Sequence, residues 1–403
     1  MAGLRIRWPT PWPARGRGLA DRPAVIALYP NRGLSFVRGE GAYLFTRDGA
    51  RYLDLMTNYG ASLLGHSHPV VTAALAEQLG RVVTMHGSFG SDVRARASMA
   101  IVDRLPMPGA GICWLNSGTE AIEAALKFAI VATGRRHFVA GAGSYHGKTF
   151  GALSVTHAGK YRALFDGCLL PVDHVPFGSV AAVDAAITAD TAAVIVEPIQ
   201  GEGGIVVPPN GYLGALRDLC SARKVLLVVD EIQTGAGRTG RFTESEREGV
   251  EPDILCLGKG LAGGIPVGIT AVTPAVSERL AKGVHTSTFG GNPLAAAGVL
   301  ATLSVLTAEF LAGVERLGQD WQARLASIER DRLALVRGRG LMVGVVVRGD
   351  RDLALKQLQK EGVLAIPAGE DVIRFLPPLV VGPDQLGLAT GALDRVLDGL
   401  SAS

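Results

Sequence analysis

Short apolar runs separated by helix-like periods recur along the chain from about residue 70 to residue 272. The runs are rich in β-branched residues and do not alternate strictly with polar ones, which is typical of parallel strands buried on both faces. They cover residues 112–115, 137–140, 192–196, 225–229, 254–257 and 267–272. Helical spacing occupies residues 120–132, 180–187 and 212–222. This alternation predicts an α/β fold, in which helices flank both faces of a mostly parallel sheet in a large domain.

A different pattern stands on either side of this region. Residues 41–55 alternate apolar and polar positions around Asp48-Gly49, which predicts a β-hairpin. Residues 292–317 predict one long helix that leaves the large domain. Candidate strands at 333–336, 341–347 and 372–375, with helices at 352–361 and after Pro383, then form an α+β pattern. We therefore predict an N-terminal arm and hairpin at 1–55 that pack with the small domain, a large domain at 56–291, and a small C-terminal domain at 292–403.

Composition narrows the class of protein. The chain has 403 residues, of which 48% are hydrophobic and 19% charged, with a net charge of +3. Such a chain can bury a large core, and its charge is too mild to predict a nucleic-acid partner. No run approaches the ~18 apolar residues of a membrane span. The first 22 residues, with many arginines, prolines and tryptophans, lack the apolar centre of a signal peptide, so we expect an extended arm and a cytoplasmic protein.

The four cysteines are far apart in the sequence and no pair has CxxC spacing. This arrangement predicts free thiols rather than a disulfide or a metal site.

Polar residues follow four of the predicted strands. Asn116 to Thr119 follow the first, Glu197 follows the third, Asp230 follows the fourth, and Lys259 comes two residues after the fifth. Ligands bind at the carboxyl ends of the strands in open α/β sheets. Four such strand ends predict a binding site at one edge of the sheet.

Ser117-Gly118-Thr119 opens a predicted helix. A small, hydroxyl-rich turn at a helix N-terminus offers free backbone N–H groups and the positive end of the helix dipole, which suits a phosphate. The alternative is a simple N-cap, with Thr119 capping the helix at 120–132. The other polar strand ends favour phosphate binding.

Asp230 and Lys259 are the candidate reactive groups. Asp230 follows five apolar residues, and a buried carboxylate requires a cation, such as a protonated pyridine nitrogen or, alternatively, Arg238. Lys259 lies between glycines in an apolar stretch. In a desolvated pocket its pKa would fall and its amine would attack a carbonyl; the alternative is a surface lysine in a flexible loop.

Residues 235–240 match GxGxxG but do not predict a dinucleotide site. The fingerprint must open an apolar helix directly after its strand. Here the match starts five residues past the strand, and the polar stretch RFTESE at 241–246 follows.

Eight motifs follow one another along the chain: GHSHP at 65–69, NSGTEA at 116–121, YHGKT at 145–149, EPIQGEGG at 197–204, DEIQTG at 230–235, GK at 258–259, STFGGNP at 287–293 and RFLPPL at 374–379. In this order they resemble the class III, fold-type I aminotransferases, which depend on pyridoxal 5'-phosphate (PLP). The resemblance is closest to the ornithine, acetylornithine and putrescine group, and it extends from Gly41 to the C-terminus.

The resemblance implies a set of cofactor-binding residues, namely Ser117, Gly118, Thr119, Tyr145, His146, Glu197, Asp230, Gln233, Lys259 and Thr288. Lys259 would hold PLP as a Schiff base and move protons. Asp230 would pair with the ring nitrogen, Gln233 with the ring oxygen, and Tyr145 would stack on the ring. Thr288 would reach the phosphate of the other subunit, which implies a homodimer.

Four further residues would select the substrates, an amine donor and 2-oxoglutarate. Arg374 matches the arginine that binds the α-carboxylate of 2-oxoglutarate, and Glu202 matches the glutamate that covers it while an ω-amine is bound. Tyr59 lies where ornithine aminotransferases have a tyrosine that contacts the far carboxylate. Ornithine and acetylornithine enzymes usually have arginine at the position of Lys148, whereas putrescine enzymes have lysine there, as this chain does. Tyr59 therefore favours an amino-acid donor and Lys148 weakens that case.

Two other functions compete with transamination. Some relatives of the same fold are racemases, epimerases or aminomutases, which need no separate acceptor; Arg374 with Glu202 argues for two different half-reactions. An inactive binding protein would require a broken Lys259, Asp230 or phosphate loop, and each is intact.

Overall fold

A computed structural model describes residue 26 and residues 28–329 and 331–401 of the chain. The extended arm predicted for the first 22 residues lies outside them. The strands are β1 (Phe36–Glu40), β2 (Tyr43–Thr46), β3 (Arg51–Asp54), β4 (Gly111–Leu115), β5 (His137–Gly141), β6 (Val172–Val175), β7 (Thr191–Val196), β8 (Leu226–Asp230), β9 (Ile254–Leu257), β10 (Gly268–Val272), β11 (Leu333–Arg339), β12 (Met342–Val347), β13 (Val363–Leu364), β14 (Ile366–Ala368) and β15 (Val372–Phe375).

The helices alternate with these strands through the middle of the chain. They are α1 (Thr57–Gly60), α2 (Pro69–Leu79), α3 (Asp92–Val102), α4 (Gly118–Thr133), α5 (Phe150–Val155), α6 (Gly159–Arg162), α7 (Val180–Ala186), α8 (Tyr212–Arg223), α9 (Pro274–Ser277), α10 (Pro293–Val305), α11 (Ala308–Ala326), α12 (Arg351–Lys360) and α13 (Pro383–Ser401).

The central sheet has seven strands in the order β4-β10-β9-β8-β7-β5-β6. Strand β10 is antiparallel to both of its neighbours, and the other pairs are parallel. Every residue of β7, β9 and β10 is buried, because helices and loops cover both faces. The predicted α/β fold with a mostly parallel sheet is confirmed.

Two smaller sheets complete the fold. One is antiparallel in the order β11-β12-β15-β14. The other joins β1 and the predicted hairpin, β2 and β3, to β13 from the C-terminal region; Leu53 and Val363 are partners there in a parallel pairing. The N-terminal hairpin therefore contacts the C-terminal region through backbone hydrogen bonds.

The prediction of one helix at 292–317 is wrong. Two helices, α10 and α11, occupy this stretch, with a bend of 72° between them. The break falls at Leu306-Thr307, where the Thr307 side chain accepts a hydrogen bond from Phe310 N (3.1 Å) and so caps α11. Apolar residues continue across the break, which hides it in the periodicity.

Within the part of the chain that the structure describes, no helix on its own has the length and apolarity of a membrane span. The bent pair α10 and α11 reaches that threshold only when its two helices are taken together.

Candidate active site

A cavity of about 270 Å³ lies at the carboxyl ends of β4, β7, β8 and β9. It collects most of the predicted site residues. The lining consists of Gly118, Thr119, Tyr145, His146, Gly147, Lys148, Glu197, Ile199, Glu202, Asp230, Ile232, Gln233, Thr234 and Lys259. Parallel strands place their polar ends at one edge, as predicted, although these residues are far apart in the sequence.

The N-terminus of α4 forms one wall. Ser117 is the N-cap, and its hydroxyl accepts a hydrogen bond from Glu120 N (3.3 Å). The alternative prediction that Thr119 is the cap is wrong; the Thr119 hydroxyl instead contacts the Thr149 hydroxyl (2.9 Å). A Cβ at Gly118 would lie 2.7 Å from Ile232 Cγ2, so only glycine lets the helix start pack this closely. The free N–H groups and dipole of this turn suit an anion.

Asp230 is buried at the end of β8. Its Oδ2 lies 2.7 Å from His146 Nδ1, and its Oδ1 accepts a hydrogen bond from Ile232 N (3.0 Å). Burial alone lowers the pKa of His146, but the hydrogen bond and charge of Asp230 and the charge of Glu197 outweigh it and raise the pKa above its ordinary value. His146 Nε2 is buried without a hydrogen-bond partner in the described chain. The resemblance gave His146 no particular role among the cofactor-binding residues. The structure places it in direct contact with Asp230.

The alternative pairing of Asp230 with Arg238 is wrong. The Arg238 guanidinium donates hydrogen bonds to the carbonyl oxygens of Leu341 (3.1 Å) and Pro377. It therefore points to the C-terminal region rather than to Asp230.

Glu197 organises the loop beside His146. Its two carboxylate oxygens accept hydrogen bonds from Tyr145 N (3.0 Å) and Gly201 N (3.1 Å). Burial raises the pKa of Glu197 to about 7, and Asp230 adds to this, while His146 and the two N–H donors oppose it. Glu197 thus fixes the backbone that carries Tyr145 and His146.

Lys259 stands at the end of β9 with a left-handed backbone, φ 46°. Its side chain lines the cavity. Burial lowers the pKa of its amine and Arg374 adds to this, whereas Glu202, Asp230 and Glu197 oppose it. Lowering the pKa increases the neutral fraction of the amine near neutral pH, which is the nucleophilic form.

Arg374 on β15 has a side chain with no exposed area, and it sits just behind the cavity wall. Its Nη2 donates to Glu202 Oε1 (2.6 Å), its Nη1 donates to Gln233 Oε1 (3.1 Å), and its Nε is buried without a partner among the described residues. Because the Gln233 oxygen accepts from Arg374, the Gln233 amide NH₂ is left as the donor toward the cavity.

Tyr59 lies beside Arg374, with the guanidinium carbon 5.4 Å from its ring centroid. It belongs to three consecutive left-handed residues, Thr57, Asn58 and Tyr59, with φ of 41°, 50° and 58°. The Thr57 hydroxyl donates to Leu376 O (2.6 Å), which links this strained turn to the segment that carries Arg374.

Lys148 is exposed at the mouth of the cavity. Its amine lies 4.1 Å from the Tyr161 ring centroid, and no carboxylate in the described chain forms an ion pair with it. The Tyr161 ring also meets the Tyr145 ring edge-on, with centroids 6.1 Å apart. Tyr161 was not predicted, because it lies on a separate short helix outside any recognised motif.

Thr288 is exposed and does not line this cavity. Its neighbour Ser287 accepts hydrogen bonds from Asn116 Nδ2 (3.1 Å) and Gly290 N (3.0 Å). These bonds hold the turn at 287–290 against the residue that follows β4. Within one subunit, Thr288 and the cavity are thus separate.

Comparison with known proteins identifies the family. Residues 28–397 match the family described as "Aminotransferase class-III". The acetylornithine aminotransferase of Methanopyrus kandleri is 43% identical over 92% of this chain and 95% of its own. The LysW-aminoadipate semialdehyde transaminase of Deinococcus radiodurans is 38% identical over 98% of this chain and 91% of its own. The ornithine aminotransferase structure from Toxoplasma gondii, 32% identical, superposes with a TM-score of 0.90 over 95% of this chain and 94% of that one.

The chain belongs to the class III aminotransferases. It is an enzyme, and its cofactor is PLP. Its substrates are therefore an amino-group donor and a keto acid.

The cavity of this aminotransferase fits PLP. The cofactor needs an anion site, a carboxylate for its ring nitrogen and an amine for its aldehyde. The α4 N-terminus, Asp230 and Lys259 supply these three groups around one cavity. When bound, PLP supplies an aldehyde that condenses with amines and a ring that accepts electrons.

Four lining residues of the aminotransferase were missed by sequence reasoning: Gly147, Ile199, Ile232 and Thr234. All four lie inside recognised motifs, next to residues chosen for their charge or hydrogen bonds. Ile232, for example, separates Asp230 from Gln233 and supplies an apolar surface. Only the fold reveals that such residues face the cavity.

Proposed function

We propose that this aminotransferase moves the terminal amino group of an ω-amino acid of the acetylornithine type to 2-oxoglutarate. The observation that carries the proposal is the contact of Arg374 with Glu202 (2.6 Å) beside the cavity. In this arrangement Glu202 neutralises the charge of the Arg374 guanidinium, so a donor that carries a cationic amine is not repelled. A dicarboxylate acceptor would displace Glu202 and form two parallel hydrogen bonds with Arg374.

The predicted roles of the cofactor-binding residues remain part of this proposal. Lys259 would hold the cofactor covalently and carry protons to and from the substrate carbon. Asp230, with His146 behind it, would keep a proton on the ring nitrogen. Gly118, Thr119 and the α4 N-terminus would bind the phosphate, Tyr145 would cover the ring, and the Gln233 amide would donate to the ring oxygen. The Ser117 hydroxyl, engaged by Glu120 N, would act through the cap rather than by direct contact.

The lysine type at position 148 weakened the case for a carboxylate-bearing donor, but the position of its amine supports such a donor, because the amine is exposed at the mouth and forms no ion pair with the described residues. A cation at the mouth attracts the far carboxylate of an ω-amino acid and repels the second ammonium of a diamine. Tyr59, on the other side of the site, favours the same class. Relatives named for acetylornithine and for LysW-aminoadipate semialdehyde agree with an ω-amino acid as the donor.

A donor panel with 2-oxoglutarate tests the proposal. We expect kcat/KM for acetylornithine to exceed that for putrescine by about 2- to 30-fold, since attraction of the donor carboxylate and repulsion of a second ammonium by the exposed Lys148 amine are each worth about 0.2–1 kcal/mol. Ornithine, 4-aminobutyrate, lysine and an aromatic amine complete the panel, with glutamate formation as the readout. A preference for putrescine would overturn the assignment of donor class but not of the family.

The homodimer and the role of Thr288 across it also belong to the proposal. Large apolar side chains are exposed near Thr288 in the sequence and elsewhere on the surface: Val82, Val83, Phe89 and Phe289. Such exposure supports an interface between copies of the chain. The division at 1–55, 56–291 and 292–403 and a cytoplasmic location remain predictions.

Mixed dimers test whether Thr288 acts across the interface. Lys259→Ala and Thr288→Asp should each be inactive alone, the second because a carboxylate repels the phosphate. In a mixed dimer, one site would combine Lys259 of one copy with Thr288 of the other and regain activity. We expect up to about half of the wild-type activity per mixed dimer. If mixing restores nothing while mass spectrometry shows mixed dimers, Thr288 acts within its own subunit or not at all.

A further inference from the structure

The glycine-rich loop at 235–240, which contains the GxGxxG match, lies between the cavity and the C-terminal region. It begins two residues after Gln233 and contains no helix. Gly237 has a left-handed φ of 92°, and a Cβ there would lie 2.5 Å from Leu311 Cδ2 on α11. The loop therefore packs closely against the helix that follows the bend, and glycine is required at this position.

Arg238 is the charged side chain of this loop and is 1% exposed. Its Nη1 donates to Leu341 O (3.1 Å) and to Pro377 O, and Leu341 N donates back to Arg238 O (3.1 Å). No carboxylate in the described part of the chain pairs with it, and its Nη2 has no partner there. Burial lowers the pKa of Arg238 to about 9, so it stays charged at neutral pH. A buried charge balanced only by carbonyl dipoles is costly, which points to a role beyond packing.

Pro377 connects Arg238 with the substrate arginine. It lies three residues after Arg374, on the segment that leaves β15. The Arg374 guanidinium contacts Gln233 (3.1 Å), and Gln233 leads into the loop that carries Arg238. Two contacts thus join the same two segments, one through Arg374 and Gln233 and the other through Arg238 and Pro377.

Two further hydrogen bonds hold the same segment. Leu376 N donates to Leu55 O (2.7 Å), and Leu376 O accepts from the Thr57 hydroxyl. Arg238 therefore links this segment to the loop after Gln233, and the Leu376 contacts link it to residues 55–57, next to Tyr59.

We propose that Arg238 is a positioning residue. By holding Pro377 against the loop after Gln233, it fixes the orientation in which the Arg374 guanidinium binds the carboxylate of the keto acid. Two parallel hydrogen bonds between a guanidinium and a carboxylate depend strongly on orientation, so a small shift of the 374–377 segment weakens them. The amine of the donor does not bind to Arg374, so the half-reaction with the donor should slow far less. This inference rests on the role of Arg374 in the proposed function.

Single-turnover measurements on the holoenzyme test it with Arg238→Lys and Arg238→Met. We expect the ratio of the single-turnover rate constant to Kd for 2-oxoglutarate to fall about 10- to 100-fold, because the contact with its carboxylate would be misplaced. Binding of glutarate, an unreactive dicarboxylate, should weaken in parallel, while the acetylornithine half-reaction should change less than about threefold. Arg238→Lys should retain more function than Arg238→Met, because an ammonium can still donate to one carbonyl.

Arg339→Lys is the matched control. Arg339 is a largely buried arginine that pairs with Glu244 near the same loop but makes no contact with residues 374–377. We expect a lower melting temperature and an unchanged ratio of the two half-reaction rates. An unchanged ratio in the Arg238 variants too, whether both rates fall equally or neither falls, would overturn the proposal.

Arg374→Ala, measured alongside, separates this inference from the proposed function. If Arg374→Ala does not slow the acceptor half-reaction selectively, both the proposed function and this inference fail. If it does and the Arg238 variants do not, only the inference about Arg238 fails. Should neither Arg238 variant fold, hydrogen exchange in the wild-type holoenzyme decides: glutarate should slow exchange in 236–240 and 374–379 together, and slowing confined to 374–379 would overturn the link.

Discussion

Replacing Lys259 with alanine should lower kcat/KM for transamination by about 10⁴-fold or more. The change removes both the amine that would attack the cofactor aldehyde and the group that would move the proton at the substrate carbon. Lys148 also lines the cavity, but it is exposed at the mouth. Burial lowers the pKa of Lys259 and so increases the neutral, nucleophilic fraction of its amine. Glutamate formation from acetylornithine and 2-oxoglutarate gives the rate.

The variant should still take up PLP, since the α4 N-terminus and Asp230 are untouched. Borohydride reduction followed by intact-mass measurement should trap the cofactor on the wild type and not on Lys259→Ala. Lys259→Arg, which keeps the charge but not the nucleophile, should behave as the alanine variant does, and Lys282→Ala, an exposed site outside the cavity, should behave as wild type. Cofactor trapped on another lysine, or activity within about 100-fold of wild type, would remove Lys259 from its role.

The pattern of apolar runs was sufficient to predict the main sheet and the edge on which the polar residues meet. Strands that are parallel and buried on both faces leave their carboxyl ends as the place where polar side chains gather, so Glu197, Asp230 and Lys259 could be placed together before any coordinates. The bend at Leu306-Thr307 could not be predicted this way. Apolar residues are needed on both sides of it, because α10 is buried almost throughout and α11 keeps an apolar face.

Hydrogen-bond partners were the least predictable feature of the site. The sequence offered a cap at Thr119 and an ion pair between Asp230 and Arg238 as alternatives, and both depended on proximity along the chain. The structure joins His146 to Asp230, 84 positions apart, and Arg238 to Pro377, 139 positions apart. Such pairs form because loops at different strand ends turn toward each other. The pattern of apolar and polar positions in the sequence does not predict the direction in which a loop turns.

Arg374→Ala should slow the half-reaction with 2-oxoglutarate by about 100-fold or more while leaving the half-reaction with acetylornithine within about fivefold of wild type. Arg374 is fully buried, and its guanidinium meets Glu202 and Gln233 at the edge of the cavity. The acceptor carboxylate would lose both hydrogen bonds of a desolvated pair, whose truncation costs about 2–5 kcal/mol. Stopped-flow absorbance of the cofactor, with each substrate added alone, separates the two rates.

Glu202→Gln is the matched variant, because it removes the covering charge and keeps the arginine. Its acceptor half-reaction should be as fast as that of the wild type or faster, since no carboxylate competes for Arg374. Its donor half-reaction should slow, because the exposed guanidinium then repels the cationic amine. Arg374→Ala and Glu202→Gln thus move the ratio of the two rates in opposite directions. Parallel losses in both half-reactions for Arg374→Ala would show that the arginine supports the site as a whole, and the Arg374–Glu202 contact would then be structural rather than a gate between two substrates.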